Sequence, residues 1–161
     1  MQRTALVLAL LVAMATRQRG QAVPVAHPAP PLVGSWQLNV GRTHYGPGVD
    51  RRRRERMTCT AEAESVRCVI HSIRSDGREL TGQFTASLDG IAAPVTGIPD
   101  VDEAKLRRPN GSLIDATFFS RGKPVFGYRA FQSDDGRSLM IMSVDPVTRA
   151  AATTVVVYDR R

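Results

Sequence analysis

The densest charge in the chain is the run Arg51-Arg52-Arg53-Arg54-Glu55-Arg56, followed eleven residues later by Arg67. Guanidinium groups at this density meet phosphate or anionic lipid, so Arg52, Arg53, Arg54, Arg56 and Arg67 form a candidate anion-binding surface. A second reading stays open beside it. Strand alternation would split the run between two faces, and basic side chains also protect exposed strand edges from aggregation. No aromatic residues are interleaved to stack on bases, so specific nucleic-acid recognition is not expected.

The other reactive residue types are sparse. Two cysteines, Cys59 and Cys68, exclude a four-cysteine metal site and a disulfide-dense miniprotein. The histidines, His27, His44 and His71, lie far apart and lack a Glu-x-x-His or Cys-x-x-Cys context, so no metal is expected. Neither a nucleophile elbow nor a phosphate-cradling glycine loop is present, which points to a non-enzymatic protein without a cofactor. Asn110-Gly111-Ser112 matches a glycosylation sequon, but Asn-Gly between apolar runs reads as a hairpin turn.

The elements that position these residues lie between an address at one end and a closing strand at the other. Residues 1–22 have the proportions of a signal peptide: a basic start, the eleven-residue apolar run Ala5–Ala15, and small residues that allow cleavage after Ala15 or Ala22. Eleven apolar residues are too few for a bilayer span, which takes about 20. The mature chain shows no longer apolar run, so no transmembrane segment is expected in it. Export to the periplasm or the extracellular space follows. Removing Arg3, Arg17 and Arg19 reduces the net charge from +7 to +4, and 20 of the 22 basic residues are Arg. Residues 23–33, with four prolines between Val23 and Leu32, suit an extended linker.

Residues 34–161 read as one domain of serial hairpins. β-rich runs are punctuated by Asp76-Gly77, Asp89-Gly90, Asn110-Gly111, Arg121-Gly122 and Asp135-Gly136. About ten strands are expected, starting near 35, 53, 66, 78, 91, 103, 112, 123, 137 and 152. The clearest alternation runs over 78–88: Leu80, Gly82, Phe84, Ala86 and Leu88 fall on one face, Thr81, Gln83, Thr85 and Ser87 on the other.

The preceding hairpin can be registered by arithmetic. With its turn centred on Ala63-Glu64, paired positions sum to 127, and Cys59 faces Cys68, Met57 faces Ile70 and Ala61 faces Val66. These six share an apolar face, whereas Arg56 and His71 meet on the opposite, mostly polar one. Directly opposed residues are close enough for a disulfide, and export supplies the oxidising compartment. A three-residue loop over 75–77 with a left-handed Gly77 would bring Phe84 onto the face of Cys68.

Gly34-Ser35-Trp36-Gln37-Leu38-Asn39 resembles the Gly-x-Trp opening of the lipocalin and fatty-acid-binding-protein superfamily. More narrowly, the chain resembles uncharacterised secreted bacterial lipocalin-like proteins, through Tyr45-Gly46-Pro47-Gly48, the Asp-Gly hairpins, Pro94-Val95-Thr96-Gly97 and the closing VVVYDRR. The resemblance implies a single all-β antiparallel up-and-down barrel of about 8–10 strands. It also implies that Trp36 plugs one end with Arg160 packed over it. The chain departs from the fatty-acid carriers in two ways. Val156-Val157-Tyr158 keeps a tyrosine but loses the arginine of their Arg-x-Tyr, and residues 41–50 are too few for their helical pair. Arg129 lies where related carriers place an inward arginine, so it either reaches an anionic head group near Tyr158 or stands solvated outside. The leading expectation is an exported barrel holding a small, mostly apolar ligand against Met57, Ile70, Phe84 and Leu88, with Arg129 and Tyr158 as polar contacts. The alternative is an envelope-associated module that binds anionic partners through the Arg51–Arg56 surface.

Overall fold

The structure, a computed structural model, describes residues 29–161. The expected signal peptide and the first part of the linker lie outside the described residues. Ten strands follow in order: β1 (Gly34–Leu38), β2 (Arg52–Glu62), β3 (Ser65–Arg74), β4 (Glu79–Ser87), β5 (Asp89–Thr96), β6 (Glu103–Asn110), β7 (Leu113–Ser120), β8 (Lys123–Gln132), β9 (Ser138–Val144) and β10 (Ala151–Arg160). Each pairs antiparallel with its sequence neighbour, and β1 pairs with β10 to close the barrel. Closure leaves no open sheet edge. The expected strand starts all lie within two residues of the observed ones. A single turn of 3-10 helix, Val40–Arg42, stands where the carriers have a helical pair.

The registers follow from alternation and turn chemistry. β2 and β3 pair Cys59 with Cys68, Met57 with Ile70 and Arg56 with His71, and from Arg54 to Glu62 each pair sums to 127. The two cysteines form a disulfide inside the wall, with Cα atoms 4.1 Å apart. Gly77 adopts φ +87°, Arg74 donates its amide to the Arg78 carbonyl, and Cys68 pairs with Phe84. A three-residue loop with a left-handed glycine therefore keeps one apolar face continuous from β2 to β4.

One end is sealed around Trp36. The indole is fully buried, its Nε1 donates to the Leu32 carbonyl at 2.8 Å, and the Arg160 guanidinium carbon stands 4.9 Å from the ring centroid. Cation and indole face attract at that distance. Gly34 makes room for this arrangement, since a Cβ there would stand 2.8 Å from Arg160 Nη2. Pro31 and Leu32 are buried too, so the last residues of the Pro-rich segment belong to the folded unit.

The opposite end is closed by the 97–102 connection. Gly97, at φ +74°, lies so close to the Thr81 carbonyl that any side chain would collide with it. This approach drops Ile98 onto Gly82, where a Cβ would stand 2.5 Å from Ile98 Cγ1. Between the two ends the core is continuous, and the Phe84 and Phe118 rings meet edge to face with centroids 6.1 Å apart.

Candidate functional site

The arginine run is where β2 first enters the sheet. Arg52 pairs with Arg74 and Arg54 with Ile73, which leaves Arg53 as the extra residue of a β-bulge. A bulge reverses the phase of alternation. Arg52 and Glu55 consequently turn to the inside, while Arg54 and Arg56 point out. This corrects the expectation for Arg52, which does not belong to the external cationic surface.

Inside, Arg52 Nη1 donates to Glu55 Oε1 at 2.6 Å and to the Tyr158 hydroxyl at 3.1 Å. Tyr158 in turn donates its hydroxyl to the same carboxylate oxygen. The Glu55 side chain is 6% exposed and the Arg52 side chain 30%, so the carboxylate is enclosed while the guanidinium is partly exposed. Tyr45 closes over the cluster and accepts the Arg52 amide at 3.4 Å. Burial pushes the Tyr158 phenol well above its usual value, and the Glu55 carboxylate adds to the shift. A buried carboxylate must be paired and hydrogen-bonded. Glu55 meets that requirement through β2 and β10, so this network ties the two strands together. Sequence reasoning passed over Glu55; a lone acid inside a run of arginines was its one signal.

The proposed ligand-lining residues are brought onto one inner face. Met57 and Phe84 are buried, and Ile70 and Leu88 are partly buried against the same core. Arg129 is not among them. It lies on the outside of β8, 3.8 Å from Asp115, and Asp115 also accepts from Arg149. Its inward neighbour is Tyr128, whose ring packs on Phe118, so Arg129 and Tyr158 do not meet. Tyr128 lies in the core, and burial pushes its phenol above the usual range.

Two cavities lie on the outside wall. One of about 330 Å³ runs across β1–β4 between Gln37, Arg54, Arg56, His71, Glu79 and Thr81. A second, of about 250 Å³, lies between Arg67, Gln83, Thr85, Pro94 and Thr96. Register explains the composition. Gln37, Arg56, His71 and Thr81 form one cross-strand row, and Thr60, Arg67 and Thr85 form another. Arg54, Arg56 and Arg67 are exposed. Among the described residues the ion pairs engage Arg42, Arg52, Arg74, Arg78, Arg129 and Arg149, and none engages Arg53, Arg54, Arg56 or Arg67. His71 Nδ1 lies 3.0 Å from the Thr81 hydroxyl.

Other candidates resolve into structure. His44 bridges to Val155 of β10, and His27 lies outside the described residues. Among the described residues no His, Cys, Asp or Glu group has the arrangement of a metal site. Asn110 Oδ1 accepts the Ser112 amide at 3.1 Å within a hairpin turn. No helix among the described residues is long and apolar enough to cross a membrane. No protein-family model, curated protein or solved structure matches the chain.

Proposed function

We propose that this chain is an exported, non-enzymatic, lipocalin-like β-barrel that binds partners carrying phosphate, sulfate or carboxylate groups on the outer wall of β2–β4. The carrying observation is that Arg54, Arg56 and Arg67 project from one face, beside two cavities, and that among the described residues no acid, Glu79 of the first cavity included, is in ion-pair contact with them. Exposed guanidiniums held on a rigid sheet are preorganised donors for anionic oxygens. The internal disulfide supports an oxidising compartment. The stacking of Arg160 on Trp36 beside Gly34 supports the lipocalin-like resemblance. An apolar ligand among Met57, Ile70, Phe84 and Leu88 is the weaker reading, because these side chains pack into the core and both cavities open on the other side of the wall.

Binding to a fluorescent polyphosphate as a function of salt tests the proposal. Each neutralised phosphate contributes a slope of about 0.7–0.9 in log K against log salt. Three arginines therefore imply a slope near −2 to −3, an affinity loss of about 20- to 40-fold between 50 and 200 mM salt. The R54Q/R56Q/R67Q variant should lose most of the binding and most of the slope while keeping its melting temperature, since all three side chains are exposed. Salt-insensitive binding, or undiminished binding by the triple variant, would refute the proposal.

A further inference from the structure

Resting on the cationic-wall reading, we infer that the partner is an acidic polysaccharide, in which charged sugars are interspersed with neutral, hydroxyl-bearing ones. The spacing of the wall carries the argument. Arg54 and Arg56 are two residues apart on one strand, about 7 Å. Arg67 lies opposite Thr60, four residues beyond Arg56, so about 13 Å of wall separates those two cations. That interval is uncharged: Thr58 pairs with Val69, and Val69 with Gln83. Arg67 is itself flanked across the strands by Thr60 and Thr85. Cations thus alternate with a band of hydroxyl and amide groups.

A polyphosphate carries a charge on every repeat and has no use for such a band, whereas a polysaccharide with acid groups on some of its sugars matches it. Thr60, Gln83 and Thr85 are exposed, and their side chains make no hydrogen bond among the described residues. Hydroxyls both donate and accept, as does the Gln83 amide, so they match sugar hydroxyls, which do the same. The alternatives fit the wall less well. The outer face of β2–β4 carries no Phe, Tyr or Trp on which a nucleobase would stack. Its apolar members, Val69 and Ile73, are partly buried in the sheet surface rather than projecting to enter a membrane.

The test compares fluorescent fragments of alginate and heparin, which separate carboxylate from sulfate, with polyphosphate, oligothymidylate and phosphatidylglycerol vesicles at one salt concentration. The wild-type chain should prefer at least one of the two polysaccharides by tenfold or more over the other three probes. The T60V/T85V variant keeps the charge and the β-branched shape of both side chains. It should lower polysaccharide affinity at least fivefold and leave polyphosphate within twofold, with an unchanged melting temperature. R67Q should weaken both. Equal binding of all probes, a preference for vesicles or oligothymidylate, or a T60V/T85V variant that changes neither or both affinities overturns the polysaccharide assignment alone. If none of the probes binds, or R67Q leaves every affinity unchanged, the cationic wall fails as well.

Discussion

Reducing the Cys59–Cys68 bond isolates one contribution to stability without removing a single side chain. The sequence separation is 9 residues. For a loop of that length the chain-entropy relation gives about 8.7 cal/mol/K, or about 2.6 kcal/mol at 25 °C, lost when the unfolded chain is freed. For a folded unit of this size, 1 kcal/mol corresponds to about 3–5 °C in melting temperature, so the reduced protein should melt about 8–13 °C lower. Both cysteines are buried, at 2% and 0% exposure, so reductant must be applied to the unfolded chain before refolding. Circular dichroism melts of the oxidised and reduced forms, with thiol titration of each, provide the comparison. The C59A/C68A variant should fall further, by about 1–2 kcal/mol, because it also leaves a cavity in the core. A reduced form melting within about 2 °C of the oxidised one would refute the loop-entropy reasoning. In that case the β2–β3 hairpin would have to hold its ends together in the unfolded chain.

Three further outcomes follow from particular contacts. G97A should destabilise by more than about 2 kcal/mol in urea, since a left-handed backbone already costs a side chain about 1–2 kcal/mol and the new Cβ collides with the Thr81 carbonyl. G48A, at φ +73° in open space, should show only the backbone cost. Y158F removes a hydroxyl donor from the buried Glu55 carboxylate and should cost about 1.5–3 kcal/mol. Y128F, whose hydroxyl has no such partner among the described residues, should stay within about 0.5 kcal/mol. Acid stability depends on Asp76, Asp89, Asp135 and Asp145, all held below the usual carboxylate range. Hydrogen bonds from neighbouring backbone amides and Ser, Thr or Arg side chains hold them there. A depressed folded-state value stabilises above the unfolded value near 4 and is lost as pH falls through the folded one. Melting temperature should therefore decline below about pH 4, and the D76N/D89N/D135N/D145N variant should flatten that decline.

The fold was legible to an unusual depth because its information is local. Period-two alternation over 78–88, Gly77 in a three-residue loop and the apolar match around Cys59 and Cys68 each constrain only a strand or a hairpin. A chain of hairpins then leaves few alternatives to closure. The site was less legible. Arg52, Arg53, Arg54 and Arg56 are identical to a reader of alternation, and a single extra residue decides which of them turn inward. Arg129 illustrates the same limit. Next to Tyr128 on one strand, only one of the pair can enter the core, and the packing of Tyr128 on Phe118 settles which.

Strand number, hairpin register and the cross-strand disulfide were thus written in neighbouring residues, where side-chain direction repeats every second position. Three features were decided only in three dimensions: Glu55 enclosed between Arg52 and Tyr158, Ile98 seated on Gly82, and exposed cations left outside on β2–β4. Each depends on residues brought together from distant strands or loops, or on the phase shift of one bulge. Burial there is set by what arrives from elsewhere in the chain, which no local pattern encodes.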